Sequence, residues 1–375
     1  MEMKASVDPG SVLHCVAGGG LYGIERMLLG LLPSQSRLGW NVSLASIVER
    51  DGVGRALGEQ IEATGGSNTF VEMRGRISAR GMLALYELMR SARPDIVHVH
   101  GYKASILAGG LSLLRRLPVV ATYHGEAKQA LGLERHVAVE SLFIRRFSGV
   151  AAVSEAIRDE LVERGVKPER IRVIPNGVRD YGFVREKALS SARGATTGPV
   201  LATVSRLVPG KNIHVLLRAM VRLRARYPHI RLRLAGDGPS AAELQRLSVE
   251  LGLSDCVDFL GFVEDVGSVL RGCDCFALPS QTEGMPIALL EAMSAGCPAV
   301  ASAVGSIPRL AEGGRNLLLV EPGDEEGLEA AIAKVLADRE FASDLALRAR
   351  DKYERDHTTA KMARSYLDFY ADLHT

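Results

Sequence analysis

One segment constrains the fold of this chain more than any other: residues 278–298, which read LPSQTEGMPIALLEAMSAGCP. The largely apolar run 273–278 predicts a buried strand. Pro286 suits the first position of a helix, which Gly296 and Pro298 then end. A strand that passes through a short loop into a helix is typical of an α/β protein.

The start of that helix is a predicted anion site. Gly284, Met285, Pro286 and Ile287 lie where backbone amides have no helical partner and where the helix dipole is positive. A phosphate is the simplest anion to bind there. We therefore expect these four residues to hold a phosphate group.

Two glutamates, Glu283 and Glu291, flank this site with seven residues between them. Even in one continuous helix their positions differ by about 12 Å in rise, whereas the carboxylates of glycosidases lie roughly 5 to 9.5 Å apart. They should therefore bind different parts of one long ligand. Glu283 would face the group beyond the phosphates and Glu291 a ribose, which together outline a nucleotide-sugar.

A second segment, residues 200–212, reads VLATVSRLVPGKN, a buried strand followed by a turn that carries Arg206 and Lys211. Taken alone, two basic residues in a turn or two separated glutamates are as readily solvated surface groups. Together the segments resemble the retaining glycosyltransferases of family 4, in which the arginine and lysine bind the donor diphosphate. In that family the first glutamate holds sugar hydroxyls and the second holds the ribose.

The resemblance implies an α/β protein with the GT-B fold: two Rossmann-like doubly wound domains that face a central cleft, with a C-terminal helix that crosses back to the first domain. It extends to residues 234–239 and 259–263, which close two further strands. By resemblance, backbone groups of Phe262 and Val263 meet the base of the nucleotide.

The first half opens with an apolar strand and the loop Gly18-Gly19-Gly20 before a helix. With Gly23 this spells the dinucleotide fingerprint, which alone suggests a dehydrogenase with Glu49 on the ribose. Family 4 enzymes also carry a glycine-rich loop here, and its bare backbone can approach donor phosphates. Both interpretations stay open from these residues alone, as does a purely structural turn.

Histidines mark two further strand ends. His98 and His100 alternate onto one face of a predicted strand, but with no third ligand expected nearby we predict no metal. His124 ends another strand, and the resemblance places it close to the transferred sugar, where it would stabilise positive charge. Glu126 would contact the acceptor or be solvated.

The polar, small-residue stretch between Tyr181 and Pro199 predicts a hinge. We place the first, acceptor-side domain at residues 1–185 and the second, nucleotide-sugar-binding domain at 186–357. The helix 358–375 is predicted to return to the first domain. Closure about the hinge would exclude water from the reaction.

Composition limits the partners and the compartment. A net charge of +2 over 375 residues argues against nucleic acid as the main partner, and no apolar run or signal-like start indicates a membrane span or export. The five scattered cysteines suit free thiols better than a bridge or zinc. We expect a cytoplasmic protein. One group of basic and apolar residues predicts either contact with the anionic inner face of the plasma membrane or a solvated basic helix face. These residues are Arg115, Arg116, Arg145, Arg146, Leu142, Phe143 and Phe147.

The function predicted from the sequence is retaining transfer of a sugar from a UDP-sugar or GDP-sugar to an acceptor hydroxyl, without a cofactor. Glu283, His124, Arg206 and Lys211 are the predicted catalytic residues. The resemblance indicates a glycan or lipid-linked glycan acceptor in bacterial exopolysaccharide, lipopolysaccharide or other surface-glycan synthesis. The alternatives are a nucleotide-sugar epimerase on the same fold, an NAD-dependent dehydrogenase and a protein that only binds.

Overall fold

The structure is a computed structural model that describes residues 10–18, 20–49, 54–73, 75, 78–125, 134–182 and 198–373. In the segment 134–182, side chains are described from residue 139 onward. The chain divides into two compact units. Unit 1 comprises residues 1–177 and 359–375, and unit 2 comprises residues 178–358. Most of the predicted hinge lies outside the described residues.

Unit 1 is built on a parallel sheet of seven strands in the order β3-β2-β1-β4-β5-β6-β7. The order reverses between β1 and β4, so the carboxyl ends of these two strands flank a topological switch point. At that end Val16 of β1 is in register with His100 of β4. The strands are β1 Ser11–Val16, β2 Asn41–Glu49, β3 Ser67–Met73, β4 Ile96–His100, β5 Val119–Tyr123, β6 Gly149–Ala152 and β7 Ile171–Val173.

Helices connect these parallel strands because the chain must cross back to the same edge of the sheet before the next strand begins. Ser154, for example, caps the helix after β6 by accepting a hydrogen bond from the amide of Ile157. A π-helical turn, Ser105–Gly109, joins the fourth and fifth helices. The helices are α1 Gly23–Arg37, α2 Arg55–Ala63, α3 Ala79–Ala92, α4 Tyr102–Ala104, α5 Gly110–Leu114, α6 Glu134–Ile144 and α7 Glu155–Glu163, with a 3₁₀ turn at Pro168–Arg170.

Unit 2 repeats this architecture with six parallel strands in the order β10-β9-β8-β11-β12-β13. Its switch point lies between β8 and β11, where Ala202 is in register with Phe276. The central strands are nearly continuous in apolar residues because helices cover both faces of the sheet. The strands are β8 Val200–Val204, β9 Arg231–Ala235, β10 Val257–Gly261, β11 Cys275–Leu278, β12 Ala299–Ser302 and β13 Leu318–Val320.

The helices of unit 2 pack their apolar faces on this sheet, and Leu216, Met220 and Leu223 of the first of them are fully buried. Asp324 caps a later helix by accepting from the amide of Gly327, as its position in the sequence predicts. The helices are α8 Ile213–Arg226, α9 Ala241–Glu250, α10 Val266–Leu270, α11 Ile287–Ser294, α12 Ile307–Ala311, α13 Glu325–Ala337 and α14 Arg339–Asp356, with a 3₁₀ turn at Pro209–Lys211.

The last helix, α15 Thr359–Asp372, belongs to unit 1. It packs beside α1, and its Tyr366 and Tyr370 are fully buried. The ring of Tyr370 lies 5.3 Å from that of Trp40. The prediction of two doubly wound α/β domains, with a C-terminal helix that returns to the first, is confirmed.

Candidate active site

The loops that follow β8 and β11 meet at the switch point of unit 2. The amide of Gln281, beyond β11, donates a hydrogen bond of 2.9 Å to the carbonyl of Gly210, beyond β8. Because the carboxyl ends of neighbouring parallel strands share one edge of the sheet, this contact brings the two sequence motifs together.

An ion pair lies at this meeting point. Lys211 Nζ donates to Glu283 Oε1 at 2.6 Å, and Ser280 Oγ donates to the same oxygen at 2.7 Å. The side chain of Glu283 is 8% exposed and that of Lys211 is 25% exposed. The carboxylate is therefore held in place from two sides, while the lysine stays open to a ligand. The structure thus brings together two of the predicted catalytic residues.

Glu291 lies in α11 and is buried, with 2% of its surface exposed. Tyr181 OH donates to its Oε1 atom at 2.7 Å, and the amide of Tyr181 donates to Ser294 Oγ at 2.9 Å. Burial, and then the nearby Glu291 carboxylate, raise the pKa of the Tyr181 hydroxyl, so it stays a hydrogen-bond donor. Sequence reasoning missed Tyr181, since nothing around it in the chain marks a contact with a helix more than a hundred residues away.

We expect Tyr181→Phe to lower the stability of unit 2 by about 2 kcal/mol, because a hydrogen bond to a buried charged group is lost. The KM for a donor that uses Glu291 should rise as well. Thermal unfolding and steady-state kinetics measure the two effects. Tyr227→Phe is the matched control, since its hydroxyl makes only a long 3.4 Å contact with the carbonyl of Ala333. Equal losses in both variants would contradict the assignment.

The start of α11 differs by one residue from the prediction. Pro286 is the N-cap, and the helix begins at Ile287 rather than at Pro286. No side chain caps this end, and no acidic residue lies in its first turn. The positive end of the helix dipole is therefore uncompensated by side chains of its own first turn, as an anion site requires.

The other predicted donor contacts lie along the same edge of the sheet. Arg206 is exposed and follows β8. Phe262 is 47% exposed and follows β10, with the half-buried Val263 beside it. Since β9 separates β8 from β10, Phe262 stands two strands away from Arg206 in the sheet order.

Glycines allow the loops of this edge to approach one another closely. A Cβ atom on Gly236, at φ +138°, would lie 1.7 Å from the carbonyl oxygen of Ser205, next to Arg206. On Gly305, at φ +56°, it would lie 1.8 Å from the carbonyl oxygen of Glu283. Gly236 belongs to a motif that the sequence singled out. Gly305 was missed, because the segment it presses against is distant in the chain.

In unit 1, Gly18 and Gly20 follow β1, while Gly19 lies outside the described residues. The amide of Tyr22 at the start of α1 donates to the buried carboxylate of Glu25 at 3.1 Å. A Cβ atom on Gly18 would lie 2.9 Å from the same carboxylate. A phosphate at this loop would therefore meet Glu25, and the proposed role of Gly18, Gly19 and Gly20 stays a prediction.

Three histidines cluster beneath the switch point of unit 1: His14 of β1 with His98 and His100 of β4. Their candidate ligand nitrogens all lie within 4.8 Å of one another, and all three side chains are buried. The expectation that no third ligand is near His98 and His100 was therefore wrong, because it counted neighbours in sequence and not across the sheet. The predicted absence of a metal stays a prediction.

Hydrogen bonds already engage these rings. His14 Nε2 donates to Gln35 Oε1 at 2.8 Å, so His14 Nδ1 accepts from His100 Nε2 at 2.9 Å. Gln35 Nε2 in turn donates to Tyr370 OH at 3.3 Å, which leaves that hydroxyl to donate to His98 Nδ1 at 2.5 Å. The network therefore ties α15 to the sheet of unit 1.

His124 follows β5 on the same side of the sheet, 6.3 Å from His100 between ring centroids. Within the described residues, His124 Nε2 and His100 Nδ1 are buried polar atoms without a hydrogen-bond partner. Burial lowers the pKa values of His14 and His124 to about 4 and also lowers those of His98 and His100. All four rings are therefore neutral at pH 7. Glu126 lies outside the described residues.

Unit 1 should lose stability in acid because of this cluster. The folded-state pKa of His14 is depressed from 6.5 to about 4, so its contribution is fully present above pH 6.5 and falls as the pH drops towards 4. The loss amounts to about 3 kcal/mol for His14 alone. Denaturant unfolding of the parent and of His14→Asn between pH 7.5 and 4 measures it, with the exposed His229→Asn as the control. A parallel pH dependence in the parent and His14→Asn would rule out His14 as a cause of the acid sensitivity.

The dehydrogenase alternative assigned Glu49 to a ribose. In the structure Glu49 ends β2 and its Oε1 atom accepts from Lys103 Nζ at 2.8 Å. The Glu49 side chain is 52% exposed, so this ion pair by itself does not exclude a ligand there.

Comparisons with known proteins cover both halves of the chain. The model of glycosyl transferases group 1 matches residues 185–352, and the model of glycosyltransferase family 4 matches residues 22–180. Glycogen synthase of Mycobacterium tuberculosis is 30% identical over 293 residues, which are 75% of this chain and 69% of that protein. The chain belongs to glycosyltransferase family 4. It is therefore an enzyme of the glycosyltransferase class, and neither the epimerase nor the dehydrogenase alternative is favoured.

A further relative and a solved structure are also similar to this family 4 glycosyltransferase. An Escherichia coli UDP-Gal:alpha-D-GlcNAc-diphosphoundecaprenol alpha-1,3-galactosyltransferase is 27% identical, over 78% of this chain and 79% of that protein. The crystal structure of Anabaena HepE in complex with UDP and glucose superposes with a TM-score of 0.82 at 24% identity, over 96% of this chain and 98% of that chain. The GT-B fold predicted from the sequence is confirmed.

Among the described residues, none of the helices combines the length and the hydrophobicity needed to traverse a lipid bilayer.

Proposed function

We propose that this glycosyltransferase transfers a sugar from a nucleoside-diphosphate sugar to an acceptor hydroxyl and keeps the anomeric configuration. The observation that carries the proposal is the contact of 2.6 Å between Lys211 and Glu283 at the switch point of unit 2. The two side chains suit the two sides of the bond that breaks. The lysine cation can bind the anionic diphosphate, and the glutamate carboxylate can accept hydrogen bonds from the sugar hydroxyls.

Lys211 and Arg206 would bind the diphosphate from one side, with the start of α11 at Gly284, Met285, Pro286 and Ile287 as a third positive group. Each charge-assisted hydrogen bond contributes about 1.5 to 3 kcal/mol. These contacts strengthen as negative charge grows on the leaving phosphate, so they lower the barrier and not only the KM. Because such groups can neutralise the leaving group, the proposed reaction uses no metal ion or cofactor.

Glu283 would orient the sugar. Its Oε1 atom accepts from Ser280 and Lys211, and the carboxylate has further lone pairs for sugar hydroxyls. When the diphosphate binds, Lys211 shifts part of its interaction from Glu283 to the phosphate, which couples sugar binding to diphosphate binding.

Glu291 would accept hydrogen bonds from the ribose, with its orientation set by Tyr181. Phe262 and Val263 would contact the base. His124 and the loop Gly18 to Gly20 remain predicted contributors from unit 1. In the proposed mechanism the acceptor attacks on the face from which the diphosphate leaves, and the leaving phosphate takes the acceptor proton.

A ligand panel tests the donor class. At a hundred times its dissociation constant a ligand stabilises the folded protein by about 2.7 kcal/mol. UDP or GDP should therefore raise the unfolding temperature, and NAD should not. Incubation of the donor sugar without acceptor should leave the sugar unchanged, and proton NMR of the product should show the anomeric configuration of the donor. Stabilisation by NAD alone, epimerisation of the donor or an inverted product would each overturn the corresponding part of the proposal.

The proposed acceptor is a lipid-linked glycan of surface-glycan synthesis. The relative from Escherichia coli named above, which by its name acts on a diphosphoundecaprenol-linked sugar, supports this class of acceptor. In unit 1, Leu142 is 54% exposed, and Leu114, which the sequence did not single out, is 82% exposed. Phe147 is fully buried in the core, so the expectation that it contacts a bilayer was wrong. Arg115 and Arg116 follow Leu114 directly, and Arg145 and Arg146 lie three and four positions after Leu142. Apolar and basic side chains together favour the surface of an anionic bilayer.

Sedimentation with lipid vesicles tests this proposed membrane contact. The protein should bind vesicles that contain phosphatidylglycerol more tightly than those of phosphatidylcholine, and Leu142→Asp should weaken that binding. Val249→Asp is the control, since Val249 is a 66% exposed apolar residue of unit 2. Equal binding of Leu142→Asp and the parent would remove the membrane from the proposal.

A further inference from the structure

Two cysteines lie in contact in unit 2. The thiol of Cys273 donates to Cys297 Sγ at 3.1 Å, and the thiol of Cys297 donates to the carbonyl of Leu270 at 3.1 Å. A disulfide requires about 2.0 Å between the sulfurs. A shift of about an ångström would therefore bring these two atoms to bonding distance.

The contact distinguishes this pair from the other cysteines. Cys275, two residues beyond Cys273, is fully buried, and its thiol points to the carbonyl of Phe276. Cys256 contacts Arg224, and Cys15 is buried in β1 of unit 1. All five are free thiols.

The two cysteines also differ in access. Cys273 is partly exposed, whereas Cys297 is buried. The hydrogen bond from Cys273, followed by burial, raises the pKa of the Cys297 thiol, and Cys273 is the sulfur that a small oxidant can reach. The pair therefore offers one sulfur that can react first and a second that can resolve the product.

We propose that Cys273 and Cys297 form an oxidisable dithiol that closes to an intramolecular disulfide when the protein meets hydrogen peroxide. The Cys273 sulfur attacks the O–O bond of the peroxide and becomes a sulfenic acid, and one water leaves. The Cys297 sulfur then attacks the sulfenic sulfur while its proton passes to the departing hydroxyl, so the S–S bond forms and the second water leaves. The two thiols lose two electrons and two hydrogens in total, and the peroxide is reduced to two waters.

The consequence is a covalent loop around the candidate donor site. Residues 273–297 include Glu283, the start of α11 and Glu291. Cys273 precedes β11 and Cys297 precedes β12, so the bond lies at the amino edge of the sheet, opposite the carboxyl edge that carries the ion pair of Lys211 and Glu283. The disulfide should therefore stabilise unit 2 without displacing the catalytic groups.

Oxidation of the full chain with hydrogen peroxide, followed by alkylation of the remaining thiols and non-reducing peptide mass spectrometry, tests the proposal. We expect a Cys273–Cys297 cross-linked peptide and a rise of unit 2's unfolding temperature on the order of 5 °C that dithiothreitol reverses. Cys273→Ser and Cys297→Ser should each abolish the cross-link and the rise, and Cys275→Ala should retain both.

Peptide mapping of the oxidised parent protein keeps the test decisive even if a variant fails to fold. A Cys273–Cys275 cross-link, a purely intermolecular disulfide, or oxidation of Cys273 to a sulfinic acid while Cys297 is alkylated would overturn the proposal. None of these outcomes depends on which donor or acceptor the enzyme uses.

Discussion

Replacing Lys211 by alanine is expected to lower kcat by about a hundred- to a thousandfold, the range seen when a preorganised donor to a developing oxyanion is removed. The lysine contacts Glu283 at 2.6 Å and remains partly open to a ligand, so its charge is in place before the donor arrives. Because the interaction grows in the transition state, the loss should be mainly in kcat and less in KM. Single-turnover transfer with a saturating donor measures it.

Lys352→Ala is the matched control for this experiment. Lys352 is also a lysine of unit 2 with little exposure, 17%, and it also donates to a carboxylate, Glu312, at 2.7 Å. It lies in α14, outside the loops that follow β8 and β11. We expect near-parental turnover. Unchanged turnover in Lys211→Ala, or equal losses in the two variants, would remove Lys211 from the mechanism.

Gly305→Ala should destabilise unit 2 by about 3 kcal/mol and impair transfer at the same time, since overpacking against backbone cannot be relieved by a side-chain rotation. The added methyl group would overlap the carbonyl oxygen of Glu283, 1.8 Å away. The amide of Ser306, the next residue, donates to the carbonyl of Gly284 at 3.3 Å, so a shift of this loop moves the site directly. Denaturant unfolding and turnover measure the two effects.

The control must separate overlap from backbone strain, because Gly305 has a φ of +56° that disfavours any side chain. Gly313→Ala does this: its φ is +72°, and a Cβ atom there meets nothing within 4 Å. Gly313→Ala should lower the stability of unit 2 by about 1 kcal/mol and leave turnover unchanged. If both variants lose the same stability and activity, the close contact between Gly305 and the Glu283 carbonyl does not contribute to function.

Much of this enzyme could be predicted from local patterns. The strand, loop and helix around Glu283, the turn that carries Lys211, and the caps at Ser154 and Asp324 each depend on residues within a few positions of one another. Hydrophobic runs, proline and glycine act at that range because they restrict the nearest backbone dihedrals and the nearest hydrogen bonds. Local patterns define the ends of helices less sharply, since the helix predicted to start at Pro286 starts at Ile287.

The errors and omissions share another cause. His14 lies 84 positions before His98 in the chain, and only the pairing of β1 with β4 makes them neighbours. Tyr181 contacts Glu291 in the same way, across 110 positions. No local pattern encodes such contacts, since they exist only once strands and helices have packed.

Short segments of the chain are enough to predict the class of fold and the types of residue in the candidate site, because strand periodicity, helix ends and the charges of Lys211, Glu283 and Glu291 are local properties. Only the packed fold shows which of these groups touch: the pairing of Lys211 with Glu283, the burial that keeps four histidines neutral, and the contact of Cys273 with Cys297. Burial and electrostatic pairing depend on distances in space, and these distances follow from the topology of the sheets and not from the order of residues.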